Sequence, residues 1–159
     1  MKLASFTPTG PNIVEAVIPR PNGQAIMFKC QAVLDYSDFD TLCPVPKPPV
    51  RVYSNGRQEL DYDDAKYKEK SEKWGKFRLG FVLMRSLAAT EGLEWEHAKL
   101  GDPETWLNIE NEFRSLFMTD AEIRYVIECV MEANSLNEDK LDEARKSFLA
   151  SRQVQQSQT

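Results

Sequence analysis

The residues that most often carry chemistry are few in this sequence and lie far apart. The three cysteines, Cys30, Cys43 and Cys129, include no C-x-x-C pair, and His97 is the single histidine. A structural zinc ion needs about four such ligands at close spacings, so these residues predict no metal site. We interpret the cysteines as small, partly buried apolar side chains in a reducing compartment.

Carboxylates are plentiful, but their positions favour helix ends and solvated surfaces over acid–base catalysis. Two acidic groups, at 59–64 and 138–143, are explained by helix capping and solvation. The sequence contains no nucleophile elbow, phosphate-binding glycine loop or dinucleotide fingerprint. We therefore predict no catalytic residues, no cofactor and a protein that is not an enzyme.

The stretch CPVPKPPV at 43–50 has four prolines in eight residues and raises two alternatives. The P-x-x-P spacing of Pro46 and Pro49 fits the aromatic grooves of docking domains. Prolines also favour an extended path and donate no backbone hydrogen bonds, which suits a rigid spacer between the β-rich and helical parts. Because the pattern is short and is flanked by folded elements, we favour the spacer.

The first third of the chain predicts β-hairpins. The runs NIVEAVI (12–18) and AIMFKCQAV (25–33) are rich in β-branched residues and flank an Asn-Gly turn. Two such runs around this dipeptide are the strongest short-range hairpin signal. A second Asn-Gly, at 55–56, predicts a small hairpin or a loop of strand character. Between them, Asp35 or Ser37 can cap a short helical turn.

From Asp63 onward the apolar period changes to that of helices. Apolar residues of 63–89 recur every three, four or seven positions, which predicts one long helix. Gly75 and Gly80 lower its intrinsic stability, and a glycine on a helix often permits the close approach of a neighbour.

Three further helix starts follow the long helix. Asp102-Pro103 places a capping residue before a proline at the first helical position. Thr119 and Glu122 form a capping box, and Asn137 can cap a last helix. The apolar faces of the four helices predict a core of Trp74, Phe77, Phe81, Trp106, Ile109, Phe113, Ile123, Ile127, Val130 and Phe148.

These elements together predict an α+β fold in a single domain at 12–151. A β-hairpin-rich part (12–60) precedes a helical part of about four helices (63–151). The polar segment 152–159 has no apolar periodicity and is expected to be disordered.

Charge and hydropathy exclude two classes of partner. The formal net charge of −5 argues against general nucleic-acid binding, which needs a cationic surface to displace phosphate counterions. No apolar run approaches the ~20 residues that span a bilayer, and the first residues have no signal-peptide core. We therefore expect a cytosolic protein.

Several apolar side chains lie beside the main helical stripes or in a connector. Exposed methionine and aromatic side chains offer adaptable apolar contact, which suits the binding of a partly folded client. An acidic surround would keep such a complex soluble. The alternative is that these side chains complete the core. The candidate partner-binding residues are Trp95, Phe117, Met118, Tyr125 and Met131.

One family resemblance extends over about residues 12–150. It is carried by FKCQAVLDYSDFDTLCPVPKPP, by NGRQELDYDDAKY leading to RSLA in the long helix, by LEW and DPETW, and by MTDAEIRYVIECVMEANSLNEDKLDEARKSFL. In the order of these features the chain resembles the tail assembly chaperones of long-tailed, siphovirus-like bacteriophages and prophages. The resemblance implies a protein of the host cell cytoplasm that binds the tail tube or tape measure protein during assembly and is absent from the finished virion.

Two other functional classes are compatible with the same sequence. A virion structural component, such as a head–tail connector or a capsid-decorating protein, would use the same surfaces permanently. A small enzyme or enzyme inhibitor would need a pocket that the sequence does not reveal. Self-association is open at this stage.

Overall fold

Two small antiparallel hairpins precede the long helix, as the sequence predicts, and one short helix lies between them. The computed structural model describes residues 9–136 and 139–147. The fold is α+β, and its elements are β1 (Ile13–Pro19), β2 (Ala25–Gln31), α1 (Ser37–Leu42), β3 (Val50–Val52), β4 (Gln58–Leu60), α2 (Ala65–Leu87), a 3-10 helix (Pro103–Asn108), α3 (Ile109–Ser115) and α4 (Asp120–Asn134). Residues 139–147 are also helical. Phe148 and the polar tail at 152–159 lie outside the described residues.

The first hairpin pairs β1 with β2 around the predicted Asn-Gly turn. Asn22 (φ 63°) and Gly23 (φ 74°) both adopt the left-handed backbone that this dipeptide accommodates. Ala16 pairs with Phe28 across the strands. Alternation along each strand gives the hairpin one buried face, formed by Ala16, Ile18, Phe28 and Cys30, and one face on which Ile13, Val17 and Met27 are about half exposed.

The buried face of this hairpin packs on α2 and α4, so the β-rich and helical parts contribute to one core. Polar links join the hairpin to α4. Arg20 donates to Glu122 at 2.5 Å, and the backbone N–H of Val33 donates to Asn134 Oδ1 at 2.7 Å. Residues more than 100 positions apart in the sequence are thus brought into contact.

The long helix α2 begins at the predicted place because Asp64 caps it, accepting from the backbone N–H of Tyr67 at 2.8 Å. Its C-terminal half carries the fully buried side chains, among them Phe81, Leu83 and Leu87. At 23 residues it is the longest described helix. No helix of the described ranges is long and apolar enough to cross a membrane.

The predicted helical core is largely confirmed where the structure describes it. Six of its members are buried and three are partly buried and pack against the core. The buried members are Phe81, Trp106, Ile109, Phe113, Ile123 and Val130, and the partly buried ones are Trp74, Phe77 and Ile127.

The two glycines of α2 differ sharply in their surroundings. A Cβ on Gly80 would lie 2.5 Å from Trp106 Cβ and 3.3 Å from Trp106 O, whereas a Cβ on Gly75 would meet nothing within 4 Å. The predicted close approach therefore occurs at Gly80 and not at Gly75. This close approach lets the helix that starts after Asp102 pack tightly across α2. That helix is a 3-10 helix until α3 begins at Ile109.

All three cysteines are buried, more fully than predicted. Burial, together with the neighbouring Cys129, raises the pKa of the Cys30 thiol to about 12. The thiol therefore stays protonated at neutral pH, and Cys30 packs as a small apolar side chain.

The proline segment has a different place from the one predicted. Residues 44–49 form neither helix nor strand and connect α1 to β3, so the segment lies within the N-terminal half and does not join it to the helices. Trp74 Nε1 donates to Cys43 O at 2.9 Å, and the N–H of Asp61 donates to Pro49 O at 2.8 Å. Hydrogen bonds thus anchor both ends.

The second hairpin, β3–β4, is amphipathic. On one face, Arg51 pairs with Asp61 at 2.7 Å and the Tyr53 hydroxyl donates to Glu59 at 3.0 Å. The apolar side chains of the hairpin, Val50, Val52 and Leu60, are all more than half exposed.

Candidate partner-binding site

Met118, one of the five predicted partner-binding residues, lies in the core. Its side chain is 5% exposed, so its predicted exposure is wrong. Met118 directly precedes Thr119, the N-cap of α4, and Ile123 is the fourth residue of that helix. A hydrophobic residue before the cap commonly packs against the fourth helical residue, and both are buried here. The capping box in the sequence marks Thr119 as the N-cap, and it was the signal that could have revealed the burial of the preceding residue, Met118.

Tyr125 and Met131 are exposed but do not form one surface. Their side chains are 41% and 44% exposed. Because the two residues lie six positions apart in α4, their side chains point about 120° apart around the helix axis. Tyr125 lies beside Cys129 and the backbone of Val17 in β1, and hydrogen bonding to the Cys129 thiol raises the pKa of Tyr125. The structure therefore separates these two residues.

Trp95 and Phe117 do lie in one region, around α3. The Trp95 ring packs edge-on against Phe113, with ring centroids 5.9 Å apart and an interplanar angle of 88°. Phe113 in turn contacts Phe28 of the first hairpin, 5.7 Å away. Trp95 is partly buried, whereas Phe117, two residues beyond the end of α3, is 93% exposed.

A surface cavity of about 250 Å³ lies at this aromatic group, and we name it the Trp95 pocket. Ligand pockets commonly measure 300–1,000 Å³, whereas a cavity of ~150 Å³ can hold benzene. The Trp95 pocket therefore has room for one large side chain. Its apolar lining is formed by Phe28, Leu93, Trp95, Phe113 and Leu116.

The connector that carries Trp95 is fixed by the carboxylate of Glu112, in α3. This carboxylate accepts three backbone N–H groups, from Glu96 at 3.0 Å, His97 at 2.6 Å and Ala98 at 2.9 Å. Burial acts to raise the pKa of Glu112, but the three donors outweigh burial and lower the pKa. An ionised Glu112 thus holds one wall of the pocket.

Phe117 is exposed in the turn between α3 and α4, and hydrogen bonds before and after it hold this turn in place. Its φ of 58° is left-handed, a conformation that costs an L-residue roughly 1–2 kcal/mol. The N–H of Phe117 donates to Arg114 O at 2.9 Å, and the N–H of Leu116 donates to Phe113 O at 3.0 Å. The capping box of α4 begins at Thr119. The turn therefore presents Phe117 to solvent in a defined position, directly after Leu116 on the pocket wall.

Three side chains beside the pocket have the composition of metal ligands. Ligand atoms of Glu96, His97 and Glu112 all lie within 4.8 Å of one another. The Glu112 carboxylate is already occupied by three backbone donors, and the His97 side chain is 80% exposed. The Glu112 side chain is explained by its role in anchoring the connector, and the side chains of Glu96 and His97 are exposed. His97 lies at the surface, the commoner place for a lone histidine in a loop.

The chain matches no protein-family model, no curated protein and no solved structure. Function therefore has to be inferred from the site itself. Of the five predicted partner-binding residues, only Trp95 lines the pocket; Leu93 and Leu116, which also line it, were not among them. The alternation of Leu93 and Trp95 within an otherwise acidic connector was the available signal.

Proposed function

We propose that this protein is a non-catalytic binding protein that holds an apolar segment of another protein at the Trp95 pocket. In the more specific form of the proposal it is a phage tail assembly chaperone. It would act in the host cell cytoplasm, with the tail tube protein, the tape measure protein or both as its clients. The order of sequence features over residues 12–150 supports this form.

The observation that carries the proposal is the exposure of Phe117, which does not line the Trp95 pocket itself but directly follows Leu116 of its lining. A phenylalanine that is 93% exposed gains about 1.5–3 kcal/mol when a partner buries it fully. Because hydrogen bonds already hold its turn, little backbone ordering is required on binding. Leu116, which is 44% exposed beside it, would add to the same contact.

The first test is co-expression with the tail tube and tape measure proteins encoded in the same genome. We expect at least one of them to stay soluble and to co-purify with this protein. If neither does, or if this protein occurs at stoichiometric copy number in purified virions, the chaperone function is contradicted, and the second result would favour a virion structural component.

A variant of Phe117 links this activity to the site. Phe117→Asn removes the aromatic ring while asparagine tolerates the left-handed backbone, so the fold should be kept. We expect client solubility to fall with this variant. The matched control is Leu34→Asn, because Leu34 is 79% exposed and lies outside the helices and strands. Equal solubility with both variants would place client binding elsewhere on the molecule.

A further inference from the structure

We propose that the segment bound at the Trp95 pocket inserts one large apolar side chain and carries lysine or arginine next to it. This inference rests on the proposed function, since it names the chemistry of the segment that the same pocket would hold. It follows from the charges that surround the apolar lining.

The rim of the pocket is acidic. Glu94, Glu96 and Glu112 line it together with the apolar side chains. Glu112 is occupied by backbone donors, whereas Glu94 and Glu96 are exposed. The rim therefore combines one structural carboxylate with two that face solvent.

The exposed carboxylates of the rim lack cationic partners in the described part of the chain. Glu94 forms no hydrogen bond or ion pair there, and the Glu96 side chain approaches only His97, at 4.0 Å. Elsewhere, acidic side chains such as Asp63 and Glu104 are paired with lysines, at 2.8 and 2.6 Å. The rim is thus an uncompensated negative surface around an apolar pocket.

The acidic rim around the apolar pocket favours some bound segments over others. A segment that covers the pocket excludes water from the rim, which strengthens the interaction of its charges with the glutamates. Acidic flanks would be repelled, and basic flanks would be attracted. A second copy of this chain is disfavoured because each copy carries a net charge of −5. The pocket volume of about 250 Å³ limits the inserted group to one large side chain.

Three labelled peptides test the proposal directly on the full-length protein. They are GKAFLAKG, with basic flanks, GEAFLAEG, with acidic flanks, and GKAAAAKG, which lacks the large apolar side chains. Fluorescence anisotropy would give the Kd of each at about 20 mM and about 300 mM NaCl. We expect the first peptide to bind about tenfold more tightly than either of the others at low salt, with the advantage over GEAFLAEG reduced at high salt.

Charge-reversal variants test whether the preference for basic flanks depends on the glutamates of the rim. Glu94→Lys/Glu96→Lys should remove the preference for GKAFLAKG over GEAFLAEG. The control Glu69→Lys/Glu128→Lys changes the net charge equally at exposed positions on α2 and α4 and should keep the preference. Equal binding of these two peptides to the wild type, or equal loss of preference in both variants, would overturn the proposal.

Two further outcomes separate this inference from the proposed function. If the wild type and Glu94→Lys/Glu96→Lys keep a tail protein soluble equally well, the inferred basic flanks are wrong and the chaperone function stands. If the peptides behave as expected but no tail protein is kept soluble, the chaperone function fails and the chemistry of the pocket stands. Self-association of the wild type in sedimentation, abolished by Phe117→Asn, would show that a second copy fills the pocket and would overturn the inference.

Discussion

At the scale of single residues, Glu112 anchors the connector that forms one wall of the candidate site. Its side chain is 10% exposed and satisfies three backbone N–H groups of the connector that carries Trp95. Hydrogen bonds to a charged group contribute more than neutral ones, at roughly 1.5–3 kcal/mol. One carboxylate therefore stabilises a connector that has no helix or strand of its own.

We expect Glu112→Gln to lower the free energy of unfolding by about 2 kcal/mol at pH 7, because an amide offers one acceptor oxygen and no charge. The pKa of Glu112 is lower in the folded protein than in the unfolded chain. Its contribution is therefore fully present above its ordinary pKa of about 4.3 and is lost as the pH falls through the folded pKa. Urea unfolding at pH 7 and at about pH 3 would measure this.

The control for this substitution is Glu110→Gln, on the same helix. Glu110 is 54% exposed and pairs with Arg114 at 3.5 Å, so its replacement should change stability by less than about 0.5 kcal/mol. A difference between the wild type and Glu112→Gln that is as large at about pH 3 as at pH 7 would contradict the role assigned to the carboxylate charge.

At the scale of elements, the crossing of α2 and the 3-10 helix depends on one missing side chain. We expect Gly80→Ala to destabilise the protein by about 1–3 kcal/mol, because its Cβ would overlap Trp106 Cβ and backbone atoms cannot give way cheaply. Gly75→Ala should instead stabilise by about 0.5–1 kcal/mol through helix propensity, since open space surrounds that position. Thermal unfolding of both variants measures the contrast, and a shift of the same sign in both would contradict the crossing.

At the scale of the whole molecule, the first hairpin and the helices share buried side chains. Ile18 and Phe28 of the hairpin belong to the same core as Phe113 and Val130 of the helices. We therefore expect one cooperative transition, with the same urea midpoint by far-UV circular dichroism and by tryptophan fluorescence.

A truncation in the core tests the expectation of one cooperative transition. Ile18→Ala should cost about 2–5 kcal/mol and should lower both midpoints together, although the substitution lies in the hairpin and the tryptophans lie in the helical part. Separate transitions, or a shift in only one signal, would show that the two parts fold independently.

The features determined by the sequence alone are those formed by neighbouring residues. The Asn22-Gly23 turn and the capping box at Thr119 each depend on contacts within about four positions, and the structure confirms both. The apolar period likewise identified Phe81 and Val130 as core, because one helical face can be read from spacing.

Tertiary structure decided the features that join distant segments. The Trp95 pocket unites Phe28, Trp95 and Phe113 from a strand, a connector and a helix. Gly80 and Gly75 look alike in sequence, and only the position of Trp106 distinguishes them. Spacing shows which side chains share a face of their own element, but the partner that meets that face is chosen by packing among all the elements at once.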